Sequence, residues 1–201
     1  MSDFQQQALQ LAALQQTPAW LSHLRAQAAN DWRHVTWPTR KTEHWKNTSL
    51  ASLQKNIPQA WAATATGLNV EAEFIAVDAI RLVFVNGVFD AASSSDLSTE
   101  VVRFSQANEA QQQLIAKHLN KVVEGPQHLF ATLNNAWLDD GVLVHVPRNQ
   151  SLAKPIYVVQ ISTPETQAVS VNQRLLVVLE DSAQAEIIEH FISTSDVQNG
   201  F

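Results

Sequence analysis

From residue 142 onward, short and intensely apolar runs are separated by brief polar breaks. The runs are Val142–Val146, Pro155–Ile161, Val169–Val171, Leu175–Leu179 and Ala185–Ile192. They are rich in Val, Ile and Leu, the residues that fit a pleated, buried surface. Leu175–Leu179 has no polar alternation, which predicts a strand covered on both faces. The breaks are too short for crossover helices, so an alternating helix–strand architecture is excluded. An all-β body remains, either a sandwich or a coil of stacked strands. The expected fold class is α+β: a mixed helical region over 1–141, then a strand core over 142–201.

Upstream the period changes to that of a helix. Ser2 or Asp3 caps a first helix with Phe4, Ala8 and Leu11 on one face and glutamines on the wet side. Thr17-Pro18 is a helix-start signal, a capping hydroxyl followed by proline at the first helical position. Trp20, Leu21, Leu24, Ala28 and Trp32 form one face of the second helix, and the two are expected to form a hairpin. Ser49 is placed to cap a short helix through Leu53, which Pro58 ends, and residues 61–69 read as a connector. Arg81–Asp90 is a β-hairpin signal, because Asn86-Gly87 supplies both positive-φ positions of a type I′ turn. A Ser-rich loop over 91–99 leads to a short strand at Val101–Phe104. From about Gln106 a helix carries Ile115, Leu119 and Val122, and Gly125-Pro126 stops it. The next, starting near Gln127, presents Phe130, Leu133 and Trp137, and Asp139-Asp140-Gly141 turns the chain into the strands.

Composition narrows the classes of function. The 201 residues carry a net charge of −6, and the thirteen basic residues are scattered. That is no footprint of a nucleic-acid binder. No apolar run reaches membrane-spanning length, and the Gln-rich start is no secretory signal, so a cytoplasmic location is expected. The absence of cysteine excludes thiolate ligation and a Cys nucleophile within these residues.

Four stretches carry candidate chemistry. Arg40, Lys41 and Lys46 interleave with Trp37 and Trp45, a pattern of stacked bases between phosphates; without a wider basic surface, aromatic anchors with cations laid over rings or carboxylates fit better. Asp139/Asp140 and Glu180/Asp181 are adjacent acids on turns, where they solvate the turn rather than face one another across a cleft. Glu186 and His190 share a strand face, with Glu189 opposite, and read as an exposed polar edge rather than a two-ligand metal site. No catalytic, cofactor-binding or metal residue is assigned.

The run Pro38-Thr39-Arg40-Lys41-Thr42-Glu43-His44-Trp45-Lys46-Asn47-Thr48 resembles the "PTRKxExWKYT" segment of the SufB/SufD family, on its SufD side, with Asn47 where an aromatic is usual. Arg81–Gly87 is similar to the family's hairpin, and Ala153-Lys154-Pro155-Ile156 to its "xKPI" strand start. Leu179–Phe191 resembles its "LExxAxAxxIEHF" run, the most specific of these matches. The resemblance implies a helical N-terminal region leading into the first coils of a right-handed parallel β-helix. It implies a non-catalytic scaffold subunit of iron–sulfur cluster assembly, working with SufB and the ATPase SufC through contacts mainly beyond residue 201. The cluster would be assembled by the complex, with ATP used by SufC. With no capping element at Asn199–Phe201, the chain is expected to be the N-terminal part of a longer protein, with an open β-edge able to self-associate. A carbohydrate-active β-helix protein and a stand-alone binding module are the competing readings.

Overall fold

The computed structural model describes residues 1–55, 60–61, 73–123, 128–163 and 169–193. Among the described residues, four α-helices, α1 (Asp3–Leu14), α2 (Ser22–His34), α3 (Glu109–His118) and α4 (Leu129–Ala136), accompany nine strands. The strands are β1 (Ala60–Trp61), β2 (Ile80–Val85), β3 (Val88–Phe89), β4 (Val101–Arg103), β5 (Val142–Val146), β6 (Ile156–Ser162), β7 (Val169–Ser170), β8 (Leu175–Leu179) and β9 (Ile187–Ser193). Fold class α+β is what the chain adopts.

The five strands after Gly141 lie within two residues of their expected bounds, and their pairings are parallel except for β5 with β4, which is antiparallel. They visit three sheets in rotation. β5 lies in a sheet ordered β4–β5–β8, β6 in one ordered β3–β2–β6–β9, and β7 pairs with β1. The chain then returns to the first sheet with β8, so that Val142 pairs with Leu175, 33 positions later. It re-enters the second with β9, where Ile156 pairs with Ile187. The intervening turns stack as well. Asn149 and Ser182, again 33 apart, have φ of 58° and 60°, and Asn149 N–H donates to the Asp181 carbonyl at 3.0 Å.

Alternation along the strands divides the core. Leu82, Val142, Val144, Ile156 and Val158 pack between the two larger sheets. Val83, Tyr157 and Val159 face outward, under Phe74 and Ala79. On the other side, Leu143 and Val178 pack against Leu21, Phe104 and Ile115. Leu175–Leu179 departs from expectation. Val177 and Leu179 are 37% and 45% exposed, because β8 ends its sheet and no further rung among the described residues covers the face that should be interior.

The helices follow their sequence signals closely. Ser2 and Gln5 form a reciprocal capping box on α1, Asn108 and Gln111 another on α3. Phe4, Ala8, Leu11 and Trp32 are buried together with Leu133 of α4 and Trp137 just after it. Three helix details are corrected. Thr17 caps nothing; its hydroxyl donates to the Leu138 and Asp139 carbonyls, both at 3.2 Å, and α2 is entered through a 3₁₀ turn at Ala19–Leu21. Helix α3 ends at His118, leaving Val122 exposed. The Ser49 segment makes only a 3₁₀ turn, Leu53–Lys55. Pro58, the 62–69 part of the connector, the Gly125-Pro126 stop, the Gln127 start and Asn199–Phe201 lie outside the described residues.

The hairpin forms as its turn residues dictate. Asn86 and Gly87 take φ of 47° and 85°, and a Cβ on Gly87 would come within 2.8 Å of Val171 Cγ1. Asn86 does more than turn the chain. Its buried Nδ2 donates to Thr163 Oγ1 at 2.7 Å, and its Oδ1 accepts from Thr163 N–H at 2.9 Å. The Ser-rich loop covers the other side of β2: Ser95 Oγ accepts from Arg81 N–H and Ser94 Oγ from Val83 N–H, each at 2.9 Å.

Candidate functional site

The flagged residues fall at separate places in the fold. Trp37 packs edge-on to Phe4, with ring centroids 5.4 Å apart, and beside Trp32 at 6.2 Å. Trp45 lies 5.7 Å from Phe130. The aromatics thus anchor an exposed loop in which Lys46 pairs with Glu43 at 2.5 Å. The cation–π contacts are elsewhere, Arg81 over Phe74 and Arg103 over Phe89.

The adjacent acids do not simply solvate their turns. Asp140 Oδ2 accepts from Arg103 Nε at 2.9 Å and Nη2 at 2.5 Å, while its Oδ1 accepts from Ser105 N–H and Gly141 N–H. One carboxylate therefore ties the end of β4 to the start of β5. Asp139 is pushed above the usual carboxylate range by burial, with its own and the Asp140 backbone N–H acting against this. Glu180 is held below that range, first by its hydrogen bond to His145 and then by Arg148 N–H. His145 Nε2 lies 2.9 Å from Glu180 Oε1, and Arg148 Nη2 2.6 Å from Asp181 Oδ2. These pairs join consecutive coils across the stacked turns. They are seams, with no cleft between them.

His190 is not part of an exposed polar face. Its Nδ1 lies 2.7 Å from the Tyr157 hydroxyl, its ring stacks on that of Tyr157, and the same hydroxyl accepts from Ile75 N–H. Glu186 precedes β9 and contributes its carbonyl to Ile156 N–H. The edge position of β9 stands as expected, but the two side chains are not brought together. No group of three or more metal-ligating side chains occurs among the described residues.

Sequence reasoning missed two arginines. Arg25 sits in the buried stripe of α2 between Leu21 and Ala28, and that position was its signal. Its guanidinium donates to the Ala12 and Gln15 carbonyls at the end of α1 and to the Ala136 carbonyl of α4. Burial lowers its pKa, and Asp139 opposes that. Arg174 precedes β8 and contacts α4.

What the geometry leaves available is the last rung of the stack. Val177 and Leu179 of β8 and Phe191 of β9, the last 74% exposed, turn apolar side chains to an uncovered end of the core. Glu189 and Phe191 border a cavity there with Leu82, Val158 and Leu175. Such an arrangement supports stacking and docking. The family model described as the SufBD protein N-terminal region matches residues 2–158.

The chain belongs to the SufBD family. It is 30% identical over 166 residues to an iron–sulfur cluster assembly SufBD family protein of Synechocystis sp., covering 79% of this chain and 36% of that protein. It is 27% identical over 164 residues to the iron–sulfur cluster assembly protein SufD of Escherichia coli strain K12, covering 81% and 37% respectively. The chain thus spans 36% and 37% of the length of these curated SufBD relatives.

Proposed function

We propose that this chain is the helical N-terminal lobe and first coils of a SufD-like, non-catalytic scaffold subunit in iron–sulfur cluster assembly. The observation that carries the reading is the family match over residues 2–158. The parallel returns of β8 and β9 support a right-handed parallel β-helix, since parallel crossovers within a sheet are overwhelmingly right-handed. The coil supplies rigid, stackable surface, which suits a protein that holds SufB and SufC in place while the cluster, its cargo, is built elsewhere in the complex. ATP is consumed by SufC, and the assembly works in the cytoplasm.

Co-expression of the whole gene product with SufB and SufC tests this. A complex containing all three on size-exclusion chromatography is expected, and three separate elution positions would end the reading. The 201-residue chain alone, lacking cysteine, is expected to show no iron–sulfur absorbance after anaerobic reconstitution.

A further inference from the structure

Where α4, the turn after α3 and the start of β8 meet, asparagine side chains surround one arginine. Arg174 Nε donates to Asn134 Oδ1 at 2.8 Å, and Nη2 donates to the same oxygen. Nη2 also donates to Asn135 Oδ1 at 2.7 Å, and Nη1 to Asn120 Oδ1 at 3.2 Å. Asn134 is oriented for this by its own amide, which donates to Asn172 Oδ1 at 2.6 Å and to the Gln173 carbonyl at 3.0 Å. Every acceptor on the guanidinium is neutral. Amide oxygens satisfy its N–H groups but leave the positive charge whole.

Two other buried or half-buried guanidiniums face a carboxylate, while Arg81 donates to the Ser93 carbonyl and lies over the Phe74 ring. Arg103 has Asp140, and Arg25 has Asp139 acting on it. Arg174 is lowered in pKa by burial alone, with no carboxylate opposing. Next to it, the Gln173 Nε2 is buried and has no hydrogen-bond partner among the described residues. Both side chains line a cavity of about 350 Å³ whose other walls include Leu119, Ala131 and Leu176. At its rim, Val122 and Val123 are 95% and 49% exposed.

A guanidinium with no carboxylate partner among the described residues and one spare amide donor, set in apolar walls, match a monovalent anion carried on an apolar body. A phosphate would demand more donors than are present. The exposed valines extend the apolar surface past the cavity mouth, farther than a small free acid reaches. We propose that this cavity binds a glutamate or aspartate side chain presented by an apolar peptide segment of a partner protein. The carboxylate pairs with Arg174 and accepts from the Gln173 amide. This assignment is independent of the scaffold reading.

Proton–nitrogen correlation NMR of the full chain, titrated with acetyl-Leu-Glu-Leu-amide, tests it. Saturable shifts are expected at the Arg174 Nε–H, the Gln173 side-chain amide and the Val122 backbone amide. Acetyl-Leu-Gln-Leu-amide should bind roughly tenfold more weakly, the cost of losing a charged hydrogen bond. Gln173→Leu should weaken the Glu peptide to a similar degree, and Arg174→Gln should abolish its binding. Absence of saturable shifts, or equal binding of the two peptides, would overturn the site. Binding unchanged in Gln173→Leu would do the same, and that variant decides the matter if Arg174→Gln fails to fold. Sodium butyrate binding as tightly as the Glu peptide would overturn the peptide as its source.

Discussion

At the scale of single residues, the polar side chains with the largest structural effect join parts of the chain distant in sequence. Asn86 and Thr163 exchange two hydrogen bonds in a buried setting. Asn86→Ala is expected to cost about 2 kcal/mol, because it leaves Thr163 N–H without its side-chain acceptor. In urea denaturation, the Asn86→Ala, Thr163→Ala double variant should lose clearly less than the sum of the singles, the signature of direct coupling. Asp139 offers a pH test. Its folded pKa is raised by burial, so the folded state binds its proton more tightly than the unfolded state does. Its contribution therefore lowers stability as pH rises from the unfolded value through the folded one. Asp139→Asn should stabilise the protein at neutral pH, and the advantage should vanish once both states are protonated in acid. Thermal melts of the two proteins across that range check the sign.

At the scale of elements, most of the architecture was legible, and the reasons are local. The runs Val142–Val146 and Leu175–Leu179 fixed their own bounds because so many branched and apolar residues in so few positions fit a strand. Ser2 and Asn86-Gly87 announced a cap and a turn through chemistry confined to a few neighbours. What escaped notice depends on partners far along the chain. Arg25 was given no role from sequence, because its role follows from the carbonyl ends of α1 and α4 converging on it. His190 looked like an exposed polar residue until Tyr157 was brought against it. The loop after the hairpin looked like mere polar filler. Its Ser94 and Ser95 hydroxyls replace a neighbouring strand for β2. Replacing both with Ala should speed hydrogen exchange at the Arg81 and Val83 amides, with little change at β5.

At the scale of the whole molecule, the strand stack is well covered on its flanks and uncovered at its last rung. β8 and β9 are edge strands, and Val177, Leu179 and Phe191 are exposed beside their unpaired backbone. Edges of this kind recruit other strands unless charge or cover prevents it. The isolated chain should therefore self-associate with increasing concentration in analytical ultracentrifugation, and Phe191→Lys with Leu179→Lys should shift it toward monomer without altering helix content. The stacked turns at Asn149 and Ser182 carry a wider consequence. Since the turn after β5 meets the turn after β8 in the same conformation 33 positions on, one circuit of the chain stacks on the next as a brick of similar shape. Duplicating or deleting one changes how far the column reaches while leaving the bricks beneath undisturbed, so gene rearrangement can reset the spacing between whatever is attached at its two ends.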